Sequence, residues 1–206
     1  MRKFLSLIII GAMVFGAAGC SAKETAPVTE DTKETTTATT AVSEADLTDN
    51  SDDIFVSAYS GFKVTSESLH DGKWDEICSK TSEGENASPQ LSWDPVEGAA
   101  TYVIYMVDMN ASNFLHWKSA GITETTLPQG WASVVEYAGP YPPSGTTHRY
   151  NVYVFALKAP VEKARGAVNG PVYNLKEFMD ELDTDAEGNT GNVISVGRIS
   201  GTYTSK

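Results

Sequence analysis

GPYPPSGTTHRYNVYVFALK, residues 139–158, joins a stiffened loop directly to a strand. Its second half, from Tyr150 to Lys158, is dense in β-branched and aromatic residues and alternates little. That is the pattern of a strand covered on both faces. The first half holds three prolines and two glycines. Proline fixes φ and removes an N–H, so Gly139 to Gly145, with Pro140 and Pro142, reads as a rigid, donor-poor loop. Gly139 permits close backbone approach. His148 and Tyr150 stand two residues apart where the strand begins, so they project to one face, roughly 7 Å apart at the rise of a strand.

Other apolar runs extend this reading. TYVIYMVD (101–108) is a second strand of the doubly covered kind, and SPQLSWDPV (88–96) a shorter one in which Leu91 and Trp93 alternate. Val193 to Tyr203 alternates weakly, as a closing strand. One helix is signalled. Asn174 is its N-cap, with Glu177 three residues later as in a capping box, and Leu175, Phe178, Met179 and Leu182 form one core-facing stripe. The acidic run DELDTDAEGN closes it, with Gly188 or Gly191 finishing the turn. The expected fold is mainly β.

Asp108 ends its strand, and the short polar loop MNASNF (109–114) leads into LHWKSAGI, with His116 near its start. So short a loop favours an antiparallel return, which puts Asp108 and His116 at the same end of the sheet. A carboxylate beside an imidazole fixes its tautomer and favours its charged form. Such a pair serves structure as readily as a site. Two imidazoles, an acid, a phenol and a fixed loop would together make a small anion pocket, with imidazolium and tyrosine O–H as donors. His70, in the turn-like SLHDGKW, is read as solvated.

The N-terminus carries a different message. Arg2 and Lys3 precede an apolar run from Phe4 to Ala18, the layout of a secretory signal. Its end, Ala17-Ala18-Gly19-Cys20, resembles a bacterial lipoprotein signal, in which the cysteine is diacylated and becomes the mature N-terminus. An uncleaved anchor is the alternative, at the lower limit of a span. Residues 20–53 are rich in threonine, alanine and acids, lack aromatics, and hold nine acids against two lysines. They bury too little apolar surface to offset chain entropy and read as an extended, disordered tether.

Residues 54–206 have the size of one domain. If Cys20 carries lipid, Cys78 has no disulfide partner and reads as a small buried hydrophobe. The domain has 18 acids against 11 lysines and arginines. That balance argues against nucleic acid, which calls for a basic stripe, and against adhesion to anionic lipid surfaces.

ENASPQLSWDPVEGAATYVIYMVD (85–108), LHW (115–117), YAGPYPPSGTTHRYNVYVFAL (137–157) and GTY (201–203) together resemble the phosphatidylethanolamine-binding protein family, in its bacterial branch of Raf-kinase-inhibitor-like proteins. The resemblance implies antiparallel β-sheets with a few peripheral helices and a shallow pocket for phosphate-like anions and phosphorylated head groups. It places Asp108 at the first acid of the family's DPDAP motif and His116 at the histidine of its WHW or WHH motif. Gly139, Pro140 and Pro142 fall on its glycine-proline loop, and His148 and Tyr150 on its HRY. This chain departs where the family has DPDAP: it reads Asp108-Met109-Asn110-Ala111-Ser112, without prolines and with an amide, Asn110, for the second acid. Leu115 stands where a tryptophan often flanks the histidine. The loop is therefore expected to be less rigid, easier for an anion to enter and weaker toward an ammonium group.

The function these features imply is a membrane-tethered, extracytoplasmic binding protein of the bacterial cell envelope, anchored through Cys20. Its ligand would be a small phosphorylated or anionic molecule bound by Asp108, Asn110, His116, Gly139, Pro140, Pro142, His148 and Tyr150. The alternative is an interaction protein that inhibits or modulates an envelope protease or another partner, with a vestigial pocket. Catalysis is not expected. Ser112 is the one candidate nucleophile near a base, and no GxSxG context supports it. His116, His148 and Asp108 are ligand types for a metal, but no HExxH or CxxC spacing is present. No cofactor or metal is assigned.

Overall fold

The computed structural model describes residues 48–206. The signal sequence, Cys20 and the tether as far as residue 47 lie outside the described residues.

Among the described residues, nine strands form two sheets. Strands β1 (Val64–Thr65), β4 (Leu91–Trp93) and β7 (Thr126–Leu127) make a small antiparallel sheet in the order β1-β4-β7. The larger sheet runs β2-β3-β9-β8-β5-β6, from β2 (Leu69–His70), β3 (Lys73–Trp74), β5 (Thr101–Asp108), β6 (Phe114–Ile122), β8 (Thr147–Leu157) and β9 (Val193–Thr204). All its pairs are antiparallel except β3 with β9, which is parallel.

The central strands lack alternation because both of their faces are cores. Every residue of β5 is buried. Tyr102, Ile104 and Met106 pack with Tyr150, Val152 and Val154 of β8 on the side of the small sheet, where Leu91, Trp93 and Leu127 complete the cluster. Val103, Tyr105 and Val107 pack with Tyr153, Phe155 and Leu157 on the other side, under Leu175, Met179 and Leu182. Each large apolar side chain so buried contributes about 1.5–3 kcal/mol. The weak alternation of β9 also has a local cause. A Cβ at Gly197 would lie 2.5 Å from Val64, and one at Gly201 would lie 2.4 Å from Leu69. These glycines let β1 and β2 close onto the strand.

The helix, α1, covers Leu175–Asp180 and continues as a 3-10 turn over Glu181–Asp183. Its expected capping box does not form. The Asn174 side-chain amide donates to the Glu177 carboxylate at 2.8 Å instead of the side chain capping a backbone N–H. The apolar stripe is core as expected, except that Phe178 is only partly buried and carries the Arg165 guanidinium over its ring.

The packed chain starts earlier than composition suggests. Asp49 to Asp53, read as the end of the tether, belong to the fold. Asp53 is buried and accepts from Arg198 Nη1 at 2.9 Å and from the Tyr153 hydroxyl at 2.9 Å. Asn50 is buried and donates to the carbonyls of Val196 (2.9 Å) and Tyr59 (3.1 Å). Polar residues that look solvated in isolation are here recruited by an arginine far along the chain. Asn50→Ala would strand two carbonyls and is expected to cost about 1–2 kcal/mol. Urea unfolding of the variant against wild type measures this, and unchanged stability would mean that the segment is not docked in solution.

Candidate functional site

The site lies where β5 ends, β6 begins and β8 begins. In register, Asp108 pairs with Phe114 of β6 on one side and Tyr150 of β8 on the other. The three strands thus deliver their polar ends to one place. A cavity of about 300 Å³ opens there, lined by Asp108, Ala111, Phe114, His116, Tyr141, Pro142, Pro143 and His148.

His116 gets there by a bulge. Met106 pairs with Trp117 and Val107 with Leu115, which leaves His116 as the extra residue on β6. Such a bulge re-aims a side chain without ending the pairing. Leu115 then packs in the helix-side core and Trp117 in the small-sheet core.

The acid pairs with the other histidine. Antiparallel return does put Asp108 and His116 at the same end of the sheet, but the Asp108 carboxylate is bonded to His148, with Oδ2 2.6 Å from Nδ1. Oδ1 accepts the Asn110 backbone N–H at 2.8 Å. The carboxylate therefore holds His148 with Nδ1–H toward the acid and leaves Nε2 for a ligand. His116 is fixed differently. Its Nδ1 faces the carbonyls of Ala138 (2.6 Å) and Gly139 (3.1 Å), both pure acceptors, so Nδ1 carries the proton. Burial is the main influence on this ring and lowers its pKa, against the opposing pull of the carbonyls and Asp108.

A buried neutral histidine has a pH signature. Unfolded, His116 takes up a proton near pH 6.5. Folded, it does so only at lower pH. The unfolded state thus binds more protons below that point, so this contribution to stability is full above about pH 6.5 and is lost as pH falls toward the folded pKa. His116→Gln is expected to lose less stability than wild type between pH 7 and 5, as read by chemical denaturation. Equal losses would contradict a buried neutral ring.

Tyr150 is fully buried, its ring edge-to-face with His116 at 5.1 Å. Burial first, then the Asp108 charge, raises its phenol well above the usual range, so it remains a donor. Among the described residues its hydroxyl has no hydrogen-bond partner.

Four of the expected site residues stand outside the cavity lining: Tyr150, fully buried behind His116, and Asn110, Gly139 and Pro140. Asn110 Oδ1 accepts the Arg149 N–H at 2.8 Å and does not line the cavity, where Ala111 stands. Gly139 approaches protein backbone: a Cβ there would lie 2.0 Å from the Cys78 carbonyl oxygen. The Pro140 carbonyl accepts from Lys80 N at 2.9 Å. The loop without prolines is held by other means. Ser112 and Asn113 both adopt positive φ. The Ser112 carbonyl accepts from Val172 N, and the Leu115 N–H donates to Gly170 O. Ser112 is exposed and outside the cavity lining.

Sequence reading missed the aromatic wall. Phe114 and Tyr141 pack edge-to-face at 5.8 Å, and both rings contact His116. Tyr141 donates to Asn169 Oδ1 at 2.7 Å, and Lys80 Nζ lies 5.5 Å from its ring centre. Tyr141 stands in the proline loop outside any strand, and Phe114 is separated from His116 by the bulge on β6, so neither followed from strand alternation. Cys78 is buried, and burial pushes its thiol up to about 12, in keeping with its reading as a hydrophobe. His70 is exposed, 3.6 Å from Asp75 and outside the cavity lining.

Residues 65–204 match the family model for phosphatidylethanolamine-binding protein, and the chain belongs to that family. Among curated relatives, the UPF0098 protein of Methanothermobacter thermautotrophicus is 32% identical over 118 residues, 47% of this chain and 78% of that one. The UPF0098 protein YbhB of Escherichia coli is 35% identical over 98 residues, 36% of this chain and 62% of its own length. "Putative lipoprotein LppC" of Mycobacterium tuberculosis is 31% identical over 100 residues, 41% of this chain and 50% of its own length. Among solved structures, E. coli YbcL, described as a new member of the mammalian PEBP family, has a TM-score of 0.53 at 24% identity, covering 71% of this chain and all of YbcL. That level of identity speaks for the fold.

Proposed function

We propose that this chain is a non-catalytic binding protein of the bacterial cell envelope, tethered through lipid on Cys20, whose pocket takes a small anion or phosphorylated head group. One observation carries the reading. Asp108 holds His148 with Nε2 unengaged at a cavity whose second histidine, His116, also leaves Nε2 unengaged. An imidazolium backed by a carboxylate is a charge-assisted donor for an oxyanion. The lipoprotein-like N-terminus and the name of the relative LppC support the location.

Titrating the protein lacking residues 1–20 with inorganic phosphate, while following the imidazole resonances of His116 and His148, tests the pocket. Both rings are expected to shift together and saturate. Shifts at the exposed His70 alone would contradict the reading.

A protein partner is the second reading. Val134 and Val135, 85% and 80% exposed, stand side by side on the segment that runs into the pocket loop. Capture of an envelope protein that survives His148→Ala but not Val134→Ser with Val135→Ser would favour it.

A further inference from the structure

The cavity also says what kind of phosphate it would accept. Among the described residues lining it, Asp108 is the one carboxylate, it is 3% exposed, and its Oδ2 is bonded to His148 Nδ1. Asn110, where a second acid would stand, bonds backbone and leaves the methyl of Ala111 on the wall. No carboxylate remains to receive an ammonium group. The rest of the lining is apolar: the rings of Phe114 and Tyr141 and the faces of Pro142 and Pro143.

The two histidines then differ in what they offer. His148 keeps its Nδ1 on Asp108, so as an imidazolium it would donate through Nε2. His116 is fixed by the Ala138 and Gly139 carbonyls with its proton on Nδ1, so its Nε2 is an acceptor. A donor beside an acceptor matches an oxyanion that also carries an O–H. A phosphate monoester has that form on the acid side of its second ionisation, near pH 6, whereas a sulfate monoester has no proton to give. Other charged or titratable groups around the cavity are Tyr150 on β8, Tyr141 on the proline loop and Lys80 over the Tyr141 ring.

Resting on the anion reading above, we infer that the pocket selects the singly charged form of a phosphate monoester bearing an uncharged, apolar substituent, and discriminates against zwitterionic phosphoethanolamine. The oxyanion sits at the histidines and the substituent against Phe114 and Tyr141. At about 300 Å³ the cavity is at the small end of ligand pockets, which suits a substituent the size of one ring.

Calorimetric titration of the full chain at pH 6 with phenyl phosphate, phenyl sulfate, phosphoethanolamine and inorganic phosphate tests this. Phenyl phosphate is expected to bind about tenfold tighter than phosphoethanolamine and than phenyl sulfate, and to weaken as pH rises to 8. Phe114→Ala is expected to narrow the gap between phenyl phosphate and inorganic phosphate. Phosphoethanolamine binding as tightly as phenyl phosphate would overturn the inference, as would equal affinity for the sulfate and phosphate esters. If neither phenyl phosphate nor inorganic phosphate binds at millimolar concentration, the anion reading itself fails. Phosphatidylcholine vesicles with and without phosphatidic acid, added as competitors, separate the sources. Displacement only by those with phosphatidic acid supports a lipid bearing the same phosphate monoester. No displacement, with phenyl phosphate bound, supports a soluble one.

Discussion

Gly139→Ala is expected to destabilise the domain by about 3 kcal/mol, near the top of the range for overpacking. The added methyl would lie 2.0 Å from the Cys78 carbonyl oxygen, 2.9 Å from the Ser79 carbonyl carbon and 3.0 Å from Lys80 N. These are backbone atoms, so no side chain can swing away. The backbone there is tightly tied: Gly139 N donates to Asn86 Oδ1 at 2.7 Å, and the Tyr137 hydroxyl donates to the Cys78 carbonyl at 2.8 Å. For a domain of this size the loss is roughly 6–12 °C in Tm. Gly145→Ala is the control. It has nothing within 4 Å but a φ of +74°, and it is expected to cost about 1 kcal/mol. A thermal melt in which the two variants behave alike would mean that the proline loop is not packed as described. The loop therefore belongs to the pocket wall and to the core at once: Gly139 packs on the Cys78 carbonyl, while its own carbonyl and that of Ala138 hold His116.

His148→Ala is expected to weaken phosphate binding by about 2–3 kcal/mol, roughly 30- to 150-fold. The variant loses a charged donor and also leaves the Asp108 carboxylate without its partner beside the incoming anion. Adding Asp108→Asn to it is expected to recover part of the affinity by removing that repulsion, though not the donor. Calorimetry on the two variants and wild type reads both effects. Unchanged affinity in His148→Ala would remove this residue from the site. A double variant weaker than His148→Ala would contradict the repulsion.

Much of the scaffold was legible because its signals are local and long. β5 and β8 announce themselves by unbroken β-branched and aromatic runs, and the structure buries both faces of each. The loop-to-strand stretch from Gly139 also has its expected shape, and His148 stands where that strand begins. What escaped depends on contacts between distant residues. Pairing Asp108 with His148 rather than His116 follows from the register of β5 on β8 and the bulge at His116, neither of which spacing reveals. The family motifs mark Asn110 and Gly139 as ligand contacts, yet their side chain and missing side chain serve the backbone. Composition placed Asp49 to Asp53 in the tether because their partner, Arg198, lies near the other end of the chain.

The two histidines are expected to face a common anion. A crystal structure of the protein grown from phosphate tests it most directly. The expected result is one phosphate in the cavity within hydrogen-bond distance of Nε2 of both His116 and His148, with Asp108 still on His148 Nδ1. A cavity closed over by Tyr141, or phosphate bound elsewhere while the histidines stay unliganded, would rule out a shared anion site.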